Sequence, residues 1–128
     1  ENALRLSVNT FESAVLINNE SFFDFKPLPN YAQFSSTNDI IIQDFNNDKI
    51  NDIVLVGNMY HAEIETTRND SGNGLLLQGI GNGDFKEISV SESGFFAPGD
   101  SKKIISLKSK NDNLLIIANN DDRLQIFK

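Results

Sequence analysis

The run Asp39-Ile-Ile-Ile-Gln43, then Asp44-Phe-Asn-Asn-Asp48-Lys-Ile-Asn-Asp52, then Ile53-Val-Leu-Val-Gly57 sets two apolar stretches on either side of a loop rich in Asp and Asn. Each stretch is short and rich in β-branched residues, which suits a strand and falls below helix length. Asp and Asn close turns by bonding their side chains to nearby main-chain groups. The segment therefore reads as strand, loop, strand.

Working outward, the same punctuation recurs. Further strands are expected at Leu4–Val8, Ala14–Ile17, Phe22–Leu28, Ala62–Thr67, Leu75–Gly79, Phe85–Val90, Lys103–Leu107, Leu114–Ala118 and Leu124–Phe127, separated by Asn, Asp, Ser and Gly clusters. No stretch sustains a three-and-four spacing, so the chain is all-β. Gly79-Ile-Gly81-Asn-Gly83-Asp84 has the look of a phosphate loop, but no helical pattern follows it and a β-turn is expected instead.

Two self-matches organise the chain. Ala14-Val-Leu-Ile-Asn18 with Phe25-Lys26 matches Gly74-Leu-Leu-Leu-Gln78 with Phe85-Lys86, 60 residues on. Asp52-Ile-Val-Leu-Val-Gly-Asn58 matches Asn113-Leu-Leu-Ile-Ile-Ala-Asn119, 61 residues on. One domain over residues 1–128 is expected, with units at about 14–73 and 74–123 and the start of a third at 124–128. Met59 to Asn73 has the look of an insertion. Two units leave sheet edges open, so the expectation is a piece of a longer protein, with the rest of that chain or an oligomer partner covering the edges.

The 128 residues carry a formal charge of −7 and a pI near 4.5, which opposes approach to nucleic acid or an anionic membrane surface. There is no Cys, so disulfides, thiolate zinc sites and cysteine nucleophiles are excluded. No apolar run reaches the roughly 18 residues of a spanning helix, so membrane insertion is not expected.

The chemistry lies in the loop. Asp44, Asn46, Asp48 and Asp52 put oxygen-bearing side chains at positions one, three, five and nine, and Ile50 offers its main-chain carbonyl at position seven. Calcium takes six to eight oxygens, and alternate residues of a curling loop point inward, so this spacing is a hard-cation pattern. It is not an EF-hand: Leu55 stands where that motif needs a bidentate Glu, and the flanks are strands. Lys108, Ser109, Lys110, Asn111, Asp112 and Asn113, between Leu107 and Leu114, carry two Lys where ligands would stand. One site is therefore expected, not one per unit.

On these residues the chain resembles the FG-GAP/VCBS repeat family, whose blades carry DxNxDGxxD(I/L) between two strands. Asp44, Asn46, Asp48, Asp52 and Ile53 occupy the matching positions, and Gly81-Asn-Gly83-Asp-Phe85 is similar to the family's NxGDGxF segment. The family commonly has Gly after the third ligand; this chain has Lys49, at a cost of about 1 kcal/mol if the residue is held left-handed. The resemblance implies antiparallel β-propeller-type blades forming a partial propeller, a β-sandwich being the alternative. It also implies Ca2+ as cofactor, an extracytoplasmic setting, and a non-catalytic scaffold for protein or glycan contacts. Two rival expectations stand beside it: a non-catalytic domain of a calcium-assisted extracellular hydrolase or polysaccharide lyase, and a structural β-sandwich without metal.

Two weaker features complete the reading. His61 beside Tyr60 and Glu63 has no nucleophile to pair with in the sequence. Tyr31, Phe34, Phe95 and Phe96 flank polar loops and form either a ligand platform or core.

Overall fold

A computed structural model describes residues 3–108 and 112–128. The described residues are all-β, with three antiparallel sheets among them, none closed on itself. The N-terminal sheet pairs β1 (Ala14–Asn18) with β2 (Phe23–Pro27). The central sheet runs β3 (Thr37–Gln43), β4 (Asp52–Gly57), β5 (Leu75–Gly81) and β6 (Asp84–Ile88) in sequence order. The C-terminal sheet runs β7 (Ser101–Lys108), β8 (Asn113–Asn119) and β9 (Gln125–Phe127).

The uninterrupted apolar run of β4 marks a strand covered on both faces, since alternation is lost when neither face meets water. Ile53 to Val56 are all 6% exposed or less. Val54 and Val56 pack with Phe95, Ala97, Ile104 and Ile117 toward the C-terminal sheet. Ile53 and Leu55 pack with Leu77, Ala32, Val15 and Leu28 toward the N-terminal side. The three sheets are thus stacked face to face about β4.

Local chemistry sets the turns. Asn82 and Gly83, with φ of 54° and 74°, form the two-residue link between β5 and β6, the Asn-Gly signature of a type I′ hairpin. The expected strand Phe85–Val90 ends early, at Ile88. Ser89-Val-Ser-Glu92 spells a capping box, and Ser89 Oγ accepts the Glu92 N–H at the start of a short helix, α1 (Val90–Ser93). A 3-10 turn covers Asn30–Gln33.

Two expected strands do not form. Ala62–Thr67 lies in the connection between β4 and β5, which already occupy each other's edges, so a strand there has no ladder partner. Only the bridge between Met59 and Asn69 remains in that connection, and Glu63 to Thr66 make a turn. Leu4–Val8 keeps its alternating pattern but is unpaired, with Leu4 and Leu6 more than four-fifths exposed.

Asn58, 1% exposed, ends β4 with φ of 81°. Its amide donates to the carbonyls of Gly72 and Pro98, and its Oδ1 accepts from the Gly72 N–H and Ser35 Oγ. One buried side chain therefore fixes both ends of the long connection to β5 and the approach to β7. Among the described residues no helix is long and apolar enough to cross a membrane.

Candidate functional site

The loop Asp44–Asn51 joins β3 to β4, whose first residue is Asp52, and folds on its own carboxylates. Asp44 Oδ1 accepts the Asp48 N–H at 3.2 Å and Asp44 Oδ2 accepts the Lys49 N–H at 2.9 Å. Asn46 Oδ1 accepts the Asp48 N–H at 3.0 Å, and Asp48 Oδ1 accepts the Ile50 N–H at 2.7 Å. These are the short Asx links by which Asp and Asn curl a chain. The Ile50 N–H, with the Asn46 amide, holds the Asp48 carboxyl below its ordinary pKa, because donated hydrogen bonds stabilise the charged form.

Asn47 and Lys49 take positive φ, 63° and 70°. Lys49 is therefore left-handed. The sharp bend falls at the sixth position, where calcium loops of the EF-hand type keep a glycine. A lysine there carries a strain of about 1 kcal/mol.

Asp52 differs from the others. It is 2% exposed, and both of its oxygens are engaged: Oδ2 accepts the Phe45 N–H and Oδ1 the Gly79 N–H, each at 2.9 Å. It ties the first turn of the loop to β5 across the sheet. Gly79 permits this approach, since a Cβ there would run into the Asn51 carbonyl oxygen.

The donor set is all hard oxygen, which suits calcium in kind, and each carboxylate oxygen keeps a second lone pair beyond the bond it accepts. Among the described residues no three acidic or histidine side chains converge closely enough to hold an ion. The loop thus offers suitable donors on a bend of suitable shape, with its carboxylates turned to main-chain N–H groups. Ser109, Lys110 and Asn111 of the second loop, expected to be without metal, lie outside the described residues.

Beside the loop, a cavity of about 510 Å³ opens between the central and C-terminal sheets. Asp44, Phe45, Val54, Leu76, Phe95 and Phe127 contribute to its lining. Phe95 stacks at a tilt on Phe127, 4.8 Å between centroids, and is buried. Of the four aromatic residues that flank polar loops, Phe95 is therefore core, while Tyr31 and Phe34 are exposed and paired at 5.2 Å.

The fold also gathers a group that no spacing along the chain announced. Asp100, 2% exposed, pairs with Lys102; His61 Nδ1 stands 3.7 Å from Asp100 Oδ2 and 3.2 Å from the Asn120 amide. Burial acts to raise the Asp100 pKa, but the Lys102 ammonium and the donors from Asn120 and Tyr60 bring it below its ordinary value. The described side chains around His61 include no Ser, Thr or Cys hydrogen-bonded to its ring. His61 here meets an acid and an amide, 39 and 59 positions away in sequence, which is why sequence alone found it no partner.

Scans against protein-family models, curated proteins and solved structures return no match to the chain.

Proposed function

We propose that this chain is a non-catalytic, extracytoplasmic propeller-type repeat module, in which Asp44–Asp52 is a calcium-binding turn and the stacked sheets are a scaffold for protein or glycan contacts. The observation that carries the reading is the loop itself: Asp44 gathers the N–H groups of the fifth and sixth positions about a left-handed bend, between two antiparallel strands. Asp44, Asn46, Asp48, the Ile50 carbonyl and the remaining lone pairs of Asp52 would hold the ion. Bound calcium supplies charge and coordination that stiffen the turn. Asp52, already anchored to β5, positions the loop.

The unit reading is supported by matching registers. Both β3–β4 and β7–β8 carry a bulge after their first pair, Thr37/Asp39 in one and Ser101/Lys103 in the other. The residue after each second strand donates its N–H back across the start of the first: Asn58 to the Ser36 carbonyl, Asn120 to the Asp100 carbonyl.

A second reading, a β-sandwich without metal, is favoured by one fact. Every carboxylate oxygen of Asp44 and Asp52 already accepts a main-chain N–H, so the turn closes without an ion.

Thermal melting in millimolar calcium against chelator separates the two, because a ligand of the folded state alone must raise stability. The calcium reading expects a higher midpoint with calcium that disappears in Asp48→Asn. An unchanged midpoint in the wild-type chain leaves the metal-free sandwich standing.

A further inference from the structure

The central sheet contains a cross-strand row, Ile41–Val54–Leu76, in which each residue is the ladder partner of the next. Val54 is buried there, and Ile41 and Leu76 pack beside it, against the C-terminal sheet. The C-terminal sheet contains the same row one sheet further on: Ile105–Ile116–Ile126, again partner to partner. Counted from the first ladder pair, Ile105 and Ile116 form the fourth pair of β7–β8, as Ile41 and Val54 form the fourth pair of β3–β4. Side chains alternate across a strand, and Ile104 and Ile117 face the central sheet, so this second row faces away from it. Ile105 is 48% and Ile126 62% exposed.

The opposite end of the stack carries the converse surface. Val15 of β1 packs toward the central sheet, so its neighbour Leu16, with its ladder partner Phe25, faces outward, 58% and 41% exposed. The C-terminal sheet docks on the central one through an aliphatic and an aromatic ladder pair, Leu115 and Phe127. Leu16 and Phe25 are such a pair, uncovered. Leu115 and Phe127 lie twelve positions apart, as do Leu4 and Leu16. The unpaired Leu4–Val8 arm therefore has the length to return along the free edge of β1 and widen this face.

From these two faces we propose that copies of this chain associate head to tail, the Leu16/Phe25 face of one docking on the Ile105–Ile116–Ile126 row of the next. The contact repeats the sheet-on-sheet packing already inside the molecule. Two different surfaces meet, so the interface is heterologous and builds rings or open chains, not closed pairs. Apolar sheet faces of this kind mark association surfaces. The proposal does not depend on the metal.

Sedimentation velocity over a range of concentrations tests it with Leu16→Glu and Ile126→Glu, both at exposed positions. The wild-type chain is expected to grow beyond a dimer as concentration rises, and each variant alone to stay monomeric. An equal mixture of the two variants is expected to form a one-to-one dimer, since each retains one complementary face. Amide exchange of residues 3–8 is expected to slow as the wild type assembles. A wild-type chain that stays monomeric throughout, a variant that still assembles alone, or a mixture that stays monomeric overturns the proposal. If either variant loses its far-ultraviolet circular dichroism signal, Phe25→Lys and Ile105→Lys replace them with the same expectations.

Discussion

Strands β4 and β8 have similar sequences, Asp52-Ile-Val-Leu-Val-Gly57 and Asn113-Leu-Leu-Ile-Ile-Ala-Asn119, and unequal surroundings. Every apolar residue from Ile53 to Val56 is buried, whereas in β8 only Ile117 is. The difference lies in position within the stack. β4 has a sheet on each side; β8 has one on its inner side alone. Equal composition does not give equal burial, because burial belongs to the neighbours as much as to the residue.

The comparison can be broken most forcefully at the core. Leu77, fully buried beside β4, loses its transfer energy and leaves a cavity on truncation, so Leu77→Ala should cost about 3 kcal/mol in urea denaturation. Ile126→Ala, beside β8, should cost under about 1 kcal/mol in the monomeric protein, because its side chain already meets water. Equal losses at the two sites would mean that the outer face of β8 is covered.

A smaller effect is expected where β4 begins. Asp52→Asn keeps one acceptor oxygen for two N–H donors, leaving a buried donor poorly paired at a cost of about 1 to 3 kcal/mol. The loss should be the same in chelator as in calcium if Asp52 acts through β5 alone, and larger in calcium if it also holds the ion. Chemical denaturation in both buffers reads this directly.

The seam between β3–β4 and β7–β8 is fastened by carboxylates, and its pH dependence follows. Asp39 Oδ2 accepts the Ile104 N–H at 2.9 Å and pairs with Lys103 at 3.0 Å. Burial acts to raise its pKa, but these donors bring it below its ordinary value, as at Asp100. A lowered folded-state pKa contributes stability that is fully present above the unfolded value of about 3.9 and is lost as pH falls through the lowered one. Melting midpoints should therefore fall on acidification below about pH 4, and less steeply in Asp39→Asn.

The smallest expected effect is at Lys49. Lys49→Gly removes the left-handed strain but loosens the unfolded chain, for a net gain of a few tenths of a kcal/mol, up to about 1. Under the calcium reading it should also raise calcium affinity by calorimetric titration.

Much of this was legible in the chain. The polar turn between two strands and the Asn-Gly turn before Phe85 follow from local chemistry, which acts over a few residues and is written in them. Leu4–Val8 and Ala62–Thr67 carry strand patterns as good as several that form, but a strand is a property of a pair. No partner edge lies along either. The Asp100, His61 and Asn120 group was likewise invisible, since stacking of sheets brings it together.

By itself, the sequence determined an all-β chain and the clustering of the side-chain oxygens of Asp44, Asn46, Asp48 and Asp52 in one turn between two strands. Only the tertiary structure decided which way each side chain faces. Matching by composition set Asp52 level with Asn113; counting ladder pairs from the bulge sets it level with Leu114. Leu, Ile and Val are interchangeable to such a match, whereas a shift of one residue turns a strand's side chains to the opposite face. Hydrogen-bond register therefore assigns Ile53 and Leu55 to one core, Val54 and Val56 to the other, and leaves Ile105 and Ile126 facing water.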